Sequence, residues 1–224
     1  MIGIIGAMDI EIEHINNAME NKEENTVSGA LYTKGTLGGK DVVTAVCGIG
    51  KVFAAMCAQT MIIKFGAEKI INTGVAGGLT ENTDILDTVV ATAMVQHDMD
   101  TTYFGDPRGM ISGINVVEFN CDENLAEKIC ANVEGKCLRG IIASGDAFIA
   151  DDVKKKDIKE TFNAIACEME GASIAQVCYV NKVPFSVLRT ISDGANGAEM
   201  SYEKFRIKAA EKASAIIIKT IQLL

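Results

Sequence analysis

MIGIIGAMDIEIE, residues 1–13, passes from a short isoleucine-rich run through a glycine turn into Asp9, Glu11 and Glu13. The run is too short for a buried helix and rich in β-branched residues, so it reads as a strand. Acids directly after it suit the first turn of a helix, where they complement the macrodipole. This strand–turn–helix unit recurs along the chain. Apolar runs predict strands near 2–6, 31–36, 41–47, 69–73, 87–95, 138–144, 164–168 and 184–191. Helical patterns fit 9–21, 51–65, 122–133, 152–161, 169–181 and 201–222, the last with Phe205, Ala209, Ala213, Ile216, Ile217 and Ile221 at three- and four-residue steps and Ser201 as N-cap. Alternation of this kind is the mark of an α/β fold whose sheet is covered on both faces.

Composition narrows the class. The 224 residues include two prolines and 48% hydrophobic residues, and no linker-like stretch divides them, so 1–224 reads as one domain. A chain of this size buries roughly 70% of its unfolded surface. A net charge of −9 argues against nucleic acid or an anionic membrane as partner. The seven cysteines are odd in number and contain no CxxC, which predicts reduced, mostly buried thiols in a cytoplasmic protein. Two histidines, His14 and His97, cannot build a metal cluster and read as surface or polar-loop residues. No apolar run approaches a membrane span, and the N-terminal run lacks the basic flank of a secretory signal. The mixed block 151–159 reads as a solvated helix face. Residues 96–120, broken by Pro107 and several Gly and Asn but carrying Tyr103, Phe104, Met110 and Ile111, read as a long loop serving as a lid or a subunit contact.

Three strand ends run into glycine turns: GIIGAM (3–8), CGIGKV (47–52) and NTGVAGGL (72–79), the last including Gly77. Each alone is explained by tight βα packing; together they suit a ligand crevice at the strand ends of an open sheet. Neither of two common glycine motifs is present. Ala45 and Val52 break a Walker A loop around Gly50-Lys51, and Phe53 breaks a dinucleotide fingerprint.

Acids also stand beyond apolar runs: Glu11, then Glu168 and Glu170 at the start of a helix, and Asp193 closing PFSVLRTISD (184–193). All but Asp193 are equally explained as helix-start residues. Arg189 lies in a strand too apolar to leave it unpaired, so it requires a buried carboxylate or a polar ligand. Separated carboxylates around one crevice suit cleavage through a cationic transition state, one acid protonating the leaving group and another activating water. A serine triad is the weaker reading, since Ser144 and Ser192 lack the nucleophile elbow.

GIIGAMDIEIE, CGIGKVFAA, NTGVAGGL, HDMDTTYFG, SGDAFI, CEMEGASIAQVC and RTISDGA, in this order over nearly the whole chain, resemble the 5′-methylthioadenosine/S-adenosylhomocysteine nucleosidase family of the nucleoside phosphorylase superfamily. The resemblance implies a three-layer α/β/α sandwich around a mixed, partly closed central sheet, usually a homodimer. It implies hydrolysis of the adenine–ribose bond of 5′-methylthioadenosine and S-adenosylhomocysteine, with 5′-deoxyadenosine a further substrate, in methionine salvage and methyl-cycle detoxification.

By motif, the resemblance implies that Glu11 activates water at C1′ and that Asp193, oriented by Ser192, protonates N7. Glu170 would hold the ribose hydroxyls, Met169 would pack on the sugar and Arg189 would anchor the water side. Phe148 would stack on adenine, whose edge the Ile149 backbone reads. Met8, Ile49 and Tyr202 would line the 5′ pocket, with Phe104 reaching in from the partner subunit. Two departures stand out: Val75 replaces the serine of the family's GSAGG turn, and Asp106 replaces an aromatic at the thioether end. The loop before Tyr202 is one residue short. No cofactor is implied, since protons and water suffice.

Two rival functions remain, a phosphorylase and a silent nucleoside binder. A phosphorylase needs arginine forks or several amides for phosphate, yet the four arginines (108, 139, 189, 206) all follow residue 107. A mere binder needs no acid and base on opposite faces.

Overall fold

The computed structural model describes residues 1–194 and 198–224, without the side chains of 198–204. The side chains of Ser201 and Tyr202 and the 195–197 part of the loop after Asp193 lie outside the described residues.

The chain runs β1 (Ile2–Gly6), α1 (Asp9–Ala18), β2 (Glu20–Val27), β3 (Ala30–Leu37), β4 (Lys40–Val46), α2 (Lys51–Phe65), β5 (Lys69–Gly78), β6 (Thr88–Gln96), a 3-10 turn at Thr102–Phe104, and β7 (Phe119–Asn120). It continues through α3 (Glu123–Cys130), β8 (Cys137–Ser144), α4 (Asp152–Phe162), β9 (Ala164–Glu168), α5 (Gly171–Asn181), β10 (Phe185–Asp193) and α6 (Ala198–Ile221). One mixed sheet has the order β10-β6-β8-β9-β5-β1-β4-β3-β2. Because β10 also pairs with β5 in parallel register, five of its strands close into a small barrel, from which β1, β4, β3 and β2 extend as an open wing.

Both faces of the sheet are covered, as the unbroken apolar runs require. Successive side chains on β1 point to opposite sides. Ile4 joins Ile12, Ile15, Ile216 and Ile217 beneath α1 and α6. Ile5 joins Ala54, Ala58, Ala175 and Cys178 beneath α2 and α5. A third cluster, with Ile158 and Phe162 of α4, packs beside β8 and β9.

Several sequence expectations are corrected. The helix expected over 9–21 stops at Ala18, and Glu20–Val27 forms an edge strand paired only with β3. Most of its side chains are polar and exposed, with only Val27 at its end packing on the core, so no period of two exists in the sequence and backbone pairing makes most of the strand. Glu168 closes β9 rather than opening a helix, and α5 begins at Gly171. Helix α6 is already under way at Ala198, which places Ser201 inside it and not at its cap. The 96–120 stretch holds the 3-10 turn, a bridge between Ile111 and Val116, and β7. His97 is buried, packed so closely on Gly145 that a Cβ there would meet its Nε2. The solvated face of 151–159 is interrupted, since Lys155 and Ile158 are buried.

If the sheet is covered on both sides, Ile4→Ala and Ile5→Ala should each cost about 2–5 kcal/mol, because each empties a fully buried site. Urea denaturation of the two variants checks this; a near-neutral result for either one would mean that its face is open.

Candidate active site

The C-terminal ends of β1, β5, β9 and β10 surround one pocket. Its wall includes Met8 and Glu11 from the start of α1, Ile49 from the turn before α2, Val75 and Gly77 on β5, and Phe148 after β8. Cys167 to Glu170 at the β9–α5 junction and Ser192 and Asp193 at the end of β10 complete it. Ile149 lines a smaller recess that shares Phe148, Met169 and Asp193 with this pocket.

Glu11 is buried yet held by three backbone donors. Its Oε2 accepts from the N–H groups of Ala7 at 2.7 Å and Met8 at 3.0 Å, and its Oε1 from that of Val75 at 3.1 Å. Burial pushes its carboxyl above the ordinary carboxylate range, against the charge of Arg189 and these three donors. Asp193, at the far end of the pocket, accepts from the Ser192 hydroxyl at 2.9 Å. Burial raises its affinity for a proton too, opposed by that hydroxyl and by Lys155.

Strand β5 makes room for both groups. A Cβ on Gly74 would stand 2.5 Å from Glu11 Oε1, and one on Gly77 would stand 2.9 Å from Asp193 Oδ2. Gly74 and Gly77 are therefore the spaces that admit the two carboxylates, three residues apart along β5.

Glu170 precedes α5. Its Oε1 accepts from the N–H of Gly50 at 2.9 Å, and Gly50 reaches it only with φ +99°, a conformation that favours glycine. Burial, with the neighbouring Glu168 carboxylate next in weight, pushes Glu170 up to about 8.

Arg189 lies behind the wall, not on it. Its guanidinium donates to Glu168 Oε2 and Asn72 Oδ1, and to Leu188 O at 2.9 Å. The buried carboxylate that Arg189 requires is thus Glu168, and Arg189 reaches the water side only through its charge on Glu11. Glu168 further accepts from the Ser144 hydroxyl and from the N–H groups of Glu170 at 3.1 Å and Gly171 at 2.8 Å. Sequence reading missed this hub because Glu168 also fits a helix start; the unpaired-arginine argument was the signal for it. Phe104 is not on the pocket wall and stands 79% exposed on the 3-10 turn. Asp106 accepts from the Thr101 hydroxyl at 2.8 Å within the same segment. Among the described residues, no group of three or more His, Cys, Asp or Glu side chains is arranged to hold a metal, and no helix is long and apolar enough to cross a membrane.

A barrel-and-wing sheet with buried carboxylates around a pocket at its strand ends fits a known class: a model of the Phosphorylase superfamily matches residues 1–222. The 5′-methylthioadenosine/S-adenosylhomocysteine nucleosidase of Shewanella sediminis is 40% identical, the match covering 100% of this chain and 99% of that protein. The Neisseria meningitidis nucleosidase of the same name, solved in complex with methylthio-immucillin-A, superimposes with TM-score 0.96 at 34% identity, covering 100% of this chain and 99% of that one. A futalosine hydrolase of Helicobacter pylori is similar as well, with TM-score 0.94 and 35% identity over 100% of this chain and 97% of that one. The chain belongs to the 5′-methylthioadenosine/S-adenosylhomocysteine nucleosidase family of the phosphorylase superfamily.

The perturbed Glu170 has a consequence for stability. A carboxyl whose folded pKa is raised favours the folded state below its unfolded value of 4.5 and loses that contribution as pH climbs through about 8. Glu170→Gln keeps an oxygen for Gly50 and removes the titration. The melting temperature of ligand-free Glu170→Gln relative to wild type should therefore rise between pH 5 and pH 9; a difference that stays flat with pH contradicts the shift.

Proposed function

We propose that the chain hydrolyses the N-glycosidic bond of 5′-methylthioadenosine and S-adenosylhomocysteine, as a single domain over residues 1–224 in the cytoplasm. The supporting observation is the placement of Glu11. Its carboxylate occupies the N–H groups of Ala7, Met8 and Val75, donors that a phosphorylase could offer to phosphate. Arg108 and Arg139 are paired with Asp157 and Glu123, which are not on the pocket wall, and Arg189, behind the wall, is paired with Glu168. A carboxylate so placed repels phosphate and accepts a proton from water.

In this reading the nucleoside lies between the two carboxylates. Asp193, whose hold on a proton burial strengthens, gives its proton to N7 while the C1′–N9 bond breaks and its electron pair passes into the purine. Glu11 takes a proton from water as the water oxygen bonds to C1′. Ser192 holds the Asp193 carboxyl, Glu170 takes the ribose hydroxyls, and Met169 packs on the sugar. Phe148 stacks on the base and the Ile149 backbone reads its edge. Met8 and Ile49 line the 5′ side, with Tyr202 assigned there by motif alone. Arg189 acts from behind, fixing Glu168 and facing Glu11 with its charge.

Adenine release measured with and without phosphate tests the reaction: the rate should not depend on phosphate, and ribose 1-phosphate as product would make the protein a phosphorylase. Asp193→Asn and Glu11→Gln should stay folded and each lower turnover roughly a hundredfold or more; wild-type protein that binds adenosine analogues without releasing adenine would be a binder.

The exposed apolar side chains Ile49, Val52, Phe53, Met56, Tyr103, Phe104 and Val180 are best covered by a second copy of the chain. In that homodimer Phe104 closes the 5′ side of the partner's pocket. Phe104→Ala should then raise KM for methylthioadenosine several-fold and leave the melting profile of the protomer unchanged; sedimentation of the wild type as a monomer would remove this assignment.

A further inference from the structure

Lys155 is the least expected residue of the pocket's surroundings. It lies on α4 in a block rich in exposed lysines, yet its side chain is only 4% exposed and turned inward. Its Nζ donates to Gly194 O at 2.8 Å, immediately beyond β10, and stands 4.0 Å from Asp193 Oδ2. A lysine loses much side-chain freedom on burial, and its ammonium loses hydration, so a site of this kind persists where the charge meets a counter-charge.

We propose that Lys155 is a positioning residue for the acid: its ammonium tethers the backbone that follows Asp193 and offsets the carboxylate left behind once the Asp193 proton has moved to the purine. The inference rests on the hydrolase reading above, in which Asp193 is the proton donor.

Among the described residues, the titratable groups facing Asp193 are Lys155 from α4 and Cys167 from β9, beside the Ser192 hydroxyl on its own strand. Burial pushes the Cys167 thiol up to about 12, so it brings no charge at neutral pH. Lys155 is then the cation that acts against the burial of Asp193. Burial alone would make Asp193 too reluctant to release its proton; the neighbouring ammonium makes it the stronger acid. Removing that charge should therefore raise the pH at which Asp193 ionises, and turnover should fall although more of the enzyme holds the proton.

The test uses full-length protein with 13C-labelled aspartate, the Asp193 resonance being identified by its loss in Asp193→Asn. Lys155→Gln keeps a donor for Gly194 O and removes the charge, Lys155→Met removes both, and Lys155→Arg keeps the charge. In Lys155→Gln and Lys155→Met the Asp193 titration midpoint should rise by about one pH unit, with the alkaline limb of kcat/KM moving the same way and kcat falling about tenfold. Lys155→Arg should stay close to wild type. Lys156→Gln, an exposed neighbour on the same helix, should change nothing. A midpoint in Lys155→Gln within half a unit of wild type would overturn the role of Lys155. Full turnover in Asp193→Asn would instead remove the acid assignment, leaving the measured coupling between the two residues intact.

Discussion

A guanidinium sealed inside an apolar strand fixes the arrangement of everything around it. Arg189 is 2% exposed, and its bonds run to Glu168 on β9 and Asn72 on β5. Asn72 in turn donates to Ile5 O on β1 at 2.9 Å, and Glu168 accepts from Ser144 on β8 and from the amides that open α5. One charge pair therefore couples five strands and one helix at the end of the sheet where the pocket lies. Desolvating such a pair is costly, and apolar residues of the same volume could be as stable. Its return is positional: the β9–α5 junction, which carries Met169 and Glu170 to the pocket, has its amides pinned by Glu168.

The polar groups in the pocket divide the labour by environment. Glu11 and Asp193 are both carboxylates and both buried, but they are supported differently. Glu11 is surrounded by N–H donors, which favour its charged form, whereas Asp193 meets one hydroxyl and one distant ammonium. Burial raises both, opposed at Glu11 by Arg189 and three N–H donors and at Asp193 by one hydroxyl and one ammonium. Environments that differ in this way can set chemically equal side chains to different protonation states. The glycines at 74 and 77 make the arrangement possible, since any side chain at either position would strike one of the two carboxylates.

Much of this was legible in the sequence because it depends on local rules. Glycine turns after apolar runs marked the strand ends, acids beyond them marked the crevice, and the lone Arg189 in an apolar run announced a buried partner. What was not legible depends on contacts between distant segments. Strand β2 has no hydrophobic period, being held at the edge by backbone pairing with β3. Glu168 looked like Glu170 until the pairing of Ser144 with Glu168 set it at the end of β9, where its carboxylate meets Arg189 and Ser144, while that of Glu170 turns to the N–H of Gly50. Lys155 was indistinguishable from Lys154 and Lys156, because only the packing of α4 against β9 decides which lysine of three turns inward.

The same features that make the pocket reactive make the empty pocket an uneasy place. Several acids share one pocket, and at least one of them, Glu170, is pushed by burial up to about 8 there. Such a site stores unfavourable electrostatics that the folded chain as a whole must outweigh, a common property of catalytic centres. In the function proposed above, a nucleoside relieves part of that burden: its ribose hydroxyls donate to Glu170, and its purine accepts the Asp193 proton during the reaction. Interactions of this second kind strengthen as charge develops, so they favour the transition state over the bound substrate. Phosphate would find the N–H groups of Ala7, Met8 and Val75 already taken by the Glu11 carboxylate, which is the electrostatic reason that water suits this pocket as nucleophile.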